Sequence, residues 1–276
     1  MQHPPRVRGH VVALLTDRMT AGATIEQAAD VAGAQGLDLV LIPSMEGMGT
    51  LRPTGSWLAQ RVEDLRRGGS EVSVAVAPHG SQRGVRALRE ARVVVVPLHG
   101  LAEALHARLR KVLVVDCSKG PRLHQRVVTA VLTGEATDAA VVAAGADEAR
   151  RRSCELRLIH PCEGEEALLP FGSRAGWPTR TARRHRHAVV PSGDGLSVST
   201  FCAQGDFAHV VPRYSRNVEL LVVAGTGQAE TDLQRVRLVA HSTSNVLLLR
   251  DPAAPIPGPR PEPVETPTVR ALVGQR

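Results

Sequence analysis

The sequence contains very few aromatic residues. Phe, Trp and Tyr make up 2% of its 276 residues, although hydrophobic residues as a whole make up 43%. The core must therefore be built from Val, Leu, Ala and Ile, which suits the buried strands of a parallel sheet. The scarcity of rings also argues against single-stranded nucleic acid as a ligand, because proteins that bind it stack the bases on aromatic side chains.

Cysteines and long apolar runs are scarce as well. The four cysteines form no Cys-x-x-Cys pair, which argues against a disulfide framework and for a reducing compartment. No apolar run approaches the roughly 20 residues of a membrane span. The first apolar run stops at Asp17, too early for a typical signal peptide. We therefore expect a cytoplasmic protein that does not enter a membrane.

Acidic residues are outnumbered, and the net charge is +7. Such an excess fits nucleic acid, another anionic partner or an arginine-rich solvated surface. The stretch 167–193 has no acid at all. We interpret it as a basic loop that is a candidate site for a polyanion or an acidic protein. The candidate residues in it are Arg180, Arg183, Arg184 and Arg186.

The stretch 127–161 has the pattern of a strand, a helix and a second strand. An apolar run at Val127–Leu132 comes first, and the second strand, Leu156–Ile159, is expected to end at His160-Pro161. Between them, small or apolar residues recur at the i, i+3, i+4, i+7 spacing of one helix face. These are Val142, Gly145, Ala146 and Ala149. We expect the acids Asp138, Asp147 and Glu148 to lie off this face.

This βαβ unit occurs twice. When the sequence is shifted by 117 positions, Val11–Ser44 aligns with Val128–Pro161 without a gap, and twelve positions are identical. An ungapped internal repeat of this kind indicates two copies of one domain. Alternating strands and helices around each copy predict two tandem, doubly wound, five-stranded parallel α/β domains.

The predicted boundaries follow from this repeat and from composition. We expect an N-terminal tail at 1–8, a first domain at 9–116, a linker at 117–123 and a second domain at 124–251. The remainder, 252–276, contains seven prolines, and we expect it to be a disordered tail.

Three segments resemble the universal stress protein family. They are 145–161 (GADEARRRSCELRLIHP), Gln204-Gly205-Asp206, and Val218–Gly227 together with His241–Arg250. The resemblance implies strand order 3-2-1-4-5 and dimers joined through strand five. In tandem members the two copies form this dimer within one chain.

An intramolecular pseudo-dimer is therefore expected here. The apolar segments 112–115 and 246–249 occupy equivalent places at the ends of the two copies. An exposed apolar edge strand is a liability unless it is paired or covered. We predict that these two strands meet each other.

Many members of the family bind ATP, through an Asp at the end of strand one and a Gly-x-x-Gly-x9-Gly-Ser/Thr loop after strand four. In the second copy, Leu132 or Thr133 stands where the Asp belongs, and Gly225 matches the first glycine. The second glycine falls on Gln228, and the final Gly-Ser/Thr falls on Leu238-Val239. Only weak candidates for nucleotide contact remain. They are Thr133, Gly134, Gly225, Thr226 and Gly227.

The first copy departs from the motif in the same way. Leu15 or Thr16 takes the place of the Asp, and Pro97 and Gly100 take the places of the glycines. Glycines matter because a side chain blocks the close approach of the backbone to phosphate. We therefore expect no tightly bound cofactor, and at most weak ATP binding.

The sequence offers little support for a nucleophilic enzyme or for a metal site. There is no Gly-x-Ser-x-Gly elbow, and Asp17 is interpreted as a helix cap or turn residue. His185 with His187, and His160 with Cys162, could touch a metal, but neither pair completes a set of four ligands. We predict no catalytic residue and no metal site. Three functions remain open: a stress-type regulatory protein, an ATP-using enzyme on the same fold, and a basic adaptor.

Overall fold

The computed structural model describes most of the chain between residues 9 and 250. The predicted tails at 1–8 and 252–276 and the linker at 117–123 lie outside the described residues. The described ranges are 9–44, 54–67, 72–106, 109–115, 125–133, 137–162, 195–216, 218–240 and 245–250.

The first half of the structure alternates strands and helices. A 3-10 turn, Leu98–Gly100, precedes its last helix. The elements in chain order are β1 (His10–Leu15), α1 (Arg18–Gln35), β2 (Asp38–Pro43), α2 (Thr54–Arg67), β3 (Val74–Val76), α3 (Gln82–Glu90), β4 (Ala91–Pro97), α4 (Leu101–His106) and β5 (Lys111–Val115).

The second half repeats the alternation. Its elements are β6 (Gln125–Val131), α5 (Asp138–Arg152), β7 (Glu155–Cys162), β8 (Val198–Gln204), α6 (Phe207–Tyr214), β9 (Val218–Ala224), α7 (Ala229–Ala240) and β10 (Asn245–Leu249).

All ten strands form one sheet, in the order β3-β2-β1-β4-β5-β10-β9-β6-β7-β8. Within each half the strands are parallel, and each half has the order 3-2-1-4-5. The predicted α/β fold and strand order are confirmed. At the centre β5 and β10 run antiparallel, with Val114 opposite Val246 and Val112 opposite Leu248.

Helices cover both faces of the sheet, so the inner strands are buried on two sides, whereas Val76 of β3 and Phe201 of β8, at the two edges, are exposed. One core contains Val11 and Ala13 together with residues of α1, α2 and α5. The other contains Val12 and Leu14 together with residues of α3, α4, α6 and α7. Alternate residues of one strand thus enter opposite cores, as the two-residue period of a strand requires. Among the described helices, none is both long and apolar enough to cross a membrane.

The start of α1 confirms the role expected for Asp17. Its carboxylate accepts a hydrogen bond from the Thr20 N–H at 2.9 Å, which satisfies one of the free donors of the first turn. The helix therefore begins at Arg18. At its other end Gly36 adopts φ 62°, the left-handed conformation that glycine permits at a helix end.

The end predicted for strand β7, at His160-Pro161, is wrong. β7 continues to Cys162, and Pro161 lies opposite Ala203 of β8. On its other side, pairing with β6 stops at Ile159. Because β7 has no β6 partner beyond that point, a proline without an N–H can be accommodated there.

Candidate functional site

Ligands of open α/β sheets usually bind at the carboxyl ends of the inner strands, where the chain order reverses. In the second half this place lies between β6 and β9, which are neighbours in the sheet. Thr133 follows β6, and the turn Gly225–Gly227 follows β9. The structure thus brings the candidate nucleotide residues to one edge of the sheet, except for Gly134, which lies outside the described residues.

The side chains of Arg250 and Asp232 leave no room for a side chain at position 225. A Cβ atom at this position would lie 2.9 Å from Cγ of Arg250 and 3.0 Å from Oδ2 of Asp232. Both distances are too short for ordinary packing. The Gly225 N–H donates to the carbonyl oxygen of Leu249 at 2.6 Å. The first glycine of the turn therefore serves the packing of Arg250 and Asp232 rather than leaving room for a phosphate.

The Asp232 carboxylate takes up the hydrogen-bond donors of the turn. Its Oδ1 accepts the Thr226 N–H at 2.6 Å and the Thr226 hydroxyl at 2.9 Å. The residue is 0% exposed. An anion in this turn would need the same N–H and the same hydroxyl. The Asp232 carboxylate therefore already occupies the hydrogen-bond donors that a bound anion would need.

Arg250 holds this carboxylate from the other side. Its Nε donates to Asp232 Oδ2 at 3.1 Å, and its side chain is 8% exposed. The Nη2 group donates to the carbonyl oxygen of Gly227 at 3.0 Å, and Nη1 donates to that of Leu105 in α4 at 2.8 Å. The guanidinium thus ties the turn of the second half to a helix of the first half.

In the loop after β6, an Asp carboxylate likewise accepts hydrogen bonds from a Thr. The Thr133 N–H donates to Oδ1 of Asp138 at 2.9 Å, and the Thr133 hydroxyl lies 3.3 Å from the same oxygen. Asp138 is 1% exposed, so its expected place off the buried face is wrong. As the first residue of α5, it points back to the loop and accepts the donors of Thr133.

The loops after β6 and after β9, in each of which an Asp carboxylate accepts hydrogen bonds from a Thr, share a sequence pattern. The loop after β6 reads TGEATD (133–138), and the loop after β9 reads TGQAETD (226–232). In each loop the leading Thr donates to the closing Asp. Sequence analysis missed Asp138 and Asp232 as site residues, although both loops open on Thr-Gly and close on Thr-Asp, with five and six residues from the first Thr to the Asp. Arg250 left no comparable signal in the sequence.

In the first half the equivalent place is filled by a histidine. Thr16 Oγ1 lies 2.5 Å from Nε2 of His99, and this nitrogen lies 2.5 Å from Oδ2 of Asp17. A Cβ atom at Gly100 would lie 2.7 Å from the Thr16 methyl group. Burial alone would raise the pKa of Asp17, but hydrogen bonds from Thr20 and the nearby His99 outweigh it and lower that pKa.

A second buried acid of α5, Glu148, lies near its C-terminal end, although it was expected to lie off the buried face. Glu148 is 7% exposed and forms ion pairs with Arg151 and Arg152. Burial would raise the pKa of Glu148, but the Arg151 and Arg152 guanidinium groups and Lys111 outweigh it and lower that pKa. The Glu148 carboxylate can therefore be buried because the guanidinium groups of Arg151 and Arg152 neutralise its charge.

The Cys154 thiol lies beside this cluster. Its Sγ is 3.2 Å from Oε2 of Glu219. Burial and the adjacent Glu219 raise the pKa of Cys154 to about 11. A thiol with such a pKa is a poor nucleophile at neutral pH, because the thiolate is the reactive form.

The remaining candidates for polyanion or metal binding lie mostly outside the described residues. The segment 180–186, with its four arginines, and the pair His185 and His187 lie outside the described residues. The His160 ring nitrogen Nδ1 bonds the carbonyl oxygen of Leu132 at 3.0 Å, while the Cys162 side chain is not described. Across the described ranges, no group of three or more His, Cys, Asp or Glu side chains could hold a metal ion.

Comparison of the sequence with protein families and with curated proteins gives no match. Comparison of the structure does. A protein assigned as a universal stress protein from Pseudomonas aeruginosa superposes with a TM-score of 0.61 at 17% identity, covering 89% of this chain and 94% of that chain. A universal stress protein from Archaeoglobus fulgidus gives a TM-score of 0.55 at 11% identity, covering 86% of this chain and 96% of that chain.

The likeness extends to a protein of another kind. The cytoplasmic domain of a prokaryotic cation chloride cotransporter superposes with a TM-score of 0.56 at 13% identity, covering 89% of this chain and 96% of that chain. Identities this low establish the architecture and nothing finer. The chain therefore has the fold seen in universal stress proteins.

Proposed function

We propose that this chain is a regulatory, ligand- or partner-binding protein of the universal stress protein type, acting in the cytoplasm, and that neither half binds ATP tightly. The fold, matched over most of the chain, supports the first part of the proposal. The second part depends on the geometry at the carboxyl ends of the inner strands.

The closure of the turn after β9 is the observation that carries the proposal. A phosphate can enter this turn only if it displaces the Asp232 carboxylate from the Thr226 N–H and hydroxyl. Displacement would leave Asp232, which is fully buried, without these donors and next to a second negative charge. A buried group that loses its hydrogen bonds costs about 1–3 kcal/mol, and like charges in a buried site add to that cost.

The weakening of ATP binding is correspondingly large. The loop after β6 offers Thr133 in place of a carboxylate, and its donors already bond Asp138. In the first half, the Thr16 and His99 side chains fill the corresponding space. Loss of two or three contacts at about 1 kcal/mol or more each amounts to roughly a hundredfold weaker binding.

Titration calorimetry with ATP and Mg²⁺ tests this proposal. We expect no saturable heat in the low-micromolar range for the full chain. Binding at low-micromolar Kd with one site per chain would overturn the proposal and favour the ATP-binding form of the family function. Release of ADP or phosphate in the same samples would favour an enzyme on this fold.

A basic adaptor is the second candidate function. The acid-free stretch 167–193, which includes five arginines, supports it, because clustered Arg without neighbouring acids attracts polyanions. The two candidates differ in ligand chemistry, so binding to heparin or mixed DNA that weakens with salt would favour the adaptor.

A further inference from the structure

A groove lies between α1 and α2 in the first half. It has a volume of about 470 Å³. Three apolar side chains, Ile25, Ala29 and Leu65, contribute to its lining. Three carboxylates stand along it. They belong to Glu26, Asp30 and Asp64.

The groove is acidic in a chain whose net charge is +7. Among the described residues that line it, the one cation is Arg61, which lies 3.9 Å from Glu26. Asp64 accepts a hydrogen bond from Gln60 at 3.0 Å. Asp30 is exposed and makes no hydrogen bond or ion pair within the described ranges. The groove therefore presents negative charge that the surrounding structure only partly neutralises.

Two glycines of α1, Gly22 and Gly33, line the groove. A Cβ atom at Gly22 would lie 3.5 Å from Arg61, and one at Gly33 would lie 3.6 Å from Val72. Both are ordinary contact distances, so the packing of the protein does not require glycine at either position. Glycine within a helix is destabilising by about 0.5–1 kcal/mol relative to alanine. Their presence fits a groove that is kept free for an occupant.

We propose that this groove binds the chain's own segment 268–276, which reads TVRALVGQR. Val269, Leu272 and Val273 have the i, i+3, i+4 spacing that places side chains on one helix face, suited to the apolar lining. Arg270 and Arg276 supply charges opposite to those of the groove, and the segment contains no acid.

The segment can reach the groove. The described chain ends at Arg250, whose N–H bonds the Arg110 carbonyl oxygen just before β5 at 2.8 Å. β5 lies two strands from β1, a lateral distance of roughly 10 Å. The residues 251–267 can extend over roughly 50 Å at about 3.1 Å per residue, several times this lateral distance.

The arginine-rich segment 180–186 is the less suitable occupant. It is entered from β7, six strands from β1, and its residues TARRHR before the next apolar run lack side chains that could fill the apolar lining. Charge alone would favour it, but the combination of charge and apolar spacing favours 268–276.

Photo-crosslinking in the full chain tests the proposal. A photoreactive amino acid replaces Ala271, and mass spectrometry identifies the attached peptides. We expect attachment to the peptides of α1 and α2 that line the groove, whereas the same amino acid in place of Ala254, in the proline-rich stretch, should give little. Asp30→Lys should reduce the yield about two- to fivefold, the value of one exposed ion pair, and adding Arg270→Glu should restore it.

Three results would overturn the proposal. The first is attachment elsewhere on the protein. The second is a yield that Asp30→Lys does not change while the melting temperature shows the variant to be folded. The third is crosslinking between isotope-labelled and unlabelled chains in a mixture, which would make a second copy the occupant.

Discussion

Replacing Asp232 with Asn tests whether a carboxylate closes the turn after β9. The change keeps the size of the side chain and removes one negative charge. In the native protein this carboxylate accepts three donors: the N–H and the hydroxyl of Thr226, and Nε of Arg250. The variant leaves the Arg250 guanidinium, with its side chain 8% exposed, without an anionic partner.

The magnitude follows from these contacts. Breaking a buried ion pair by removing one partner costs about 3–5 kcal/mol. Because the Asn oxygen can still accept one bond from Thr226, we expect the lower end, about 3 kcal/mol of the free energy of unfolding. For a chain of this size, such a loss lowers Tm by roughly 6–12 °C.

Thermal unfolding measured by circular dichroism is the assay, with Asp147→Asn as the matched control. Asp147 is 79% exposed and lies 3.4 Å from Arg150, so this change should stay within about 0.5 kcal/mol. An Asp232→Asn variant as stable as the control would refute this reasoning.

The other predictions concern charge and assembly. The pKa of Glu148 lies below its ordinary value of 4.5, so its ionised form stabilises the fold above that pH, and this contribution is lost as the pH falls. In the Glu148→Gln variant, Tm should therefore decrease less than in the native protein when the pH is lowered below about 5. Changing the four arginines of 180–186 to Ala should lower the salt concentration that elutes the protein from heparin, whereas unchanged elution would place the basic surface elsewhere. A fragment of residues 1–120 should dimerise or aggregate, because it exposes the β5 edge; a well-behaved monomer in size-exclusion chromatography would contradict this.

Local patterns in the sequence determined the elements and much of their order. Runs such as 93–96 bury both faces in a parallel sheet, and the repeat between 11–44 and 128–161 reports a shared βαβ unit. The cap at Asp17 was also predictable, because its partner Thr20 is three residues away and caps depend on local geometry. The strand order 3-2-1-4-5 came from the family resemblance, since spacing alone does not say which strands are neighbours.

Tertiary structure decided the chemistry of the candidate site. Glu148 falls off the apolar face of α5 by helical periodicity, yet it is buried, because periodicity reports the direction of a side chain and not the polar groups that fold back over it. Asp138 lies four and seven residues before Val142 and Gly145 and so shares their face, but only the structure shows that Thr133 donates to its carboxylate there. The bond from Arg250 to Leu105 joins residues 145 positions apart. Only the pairing of β5 with β10 places that arginine against the first half, where it can hold Asp232 in the turn that a phosphate would otherwise use.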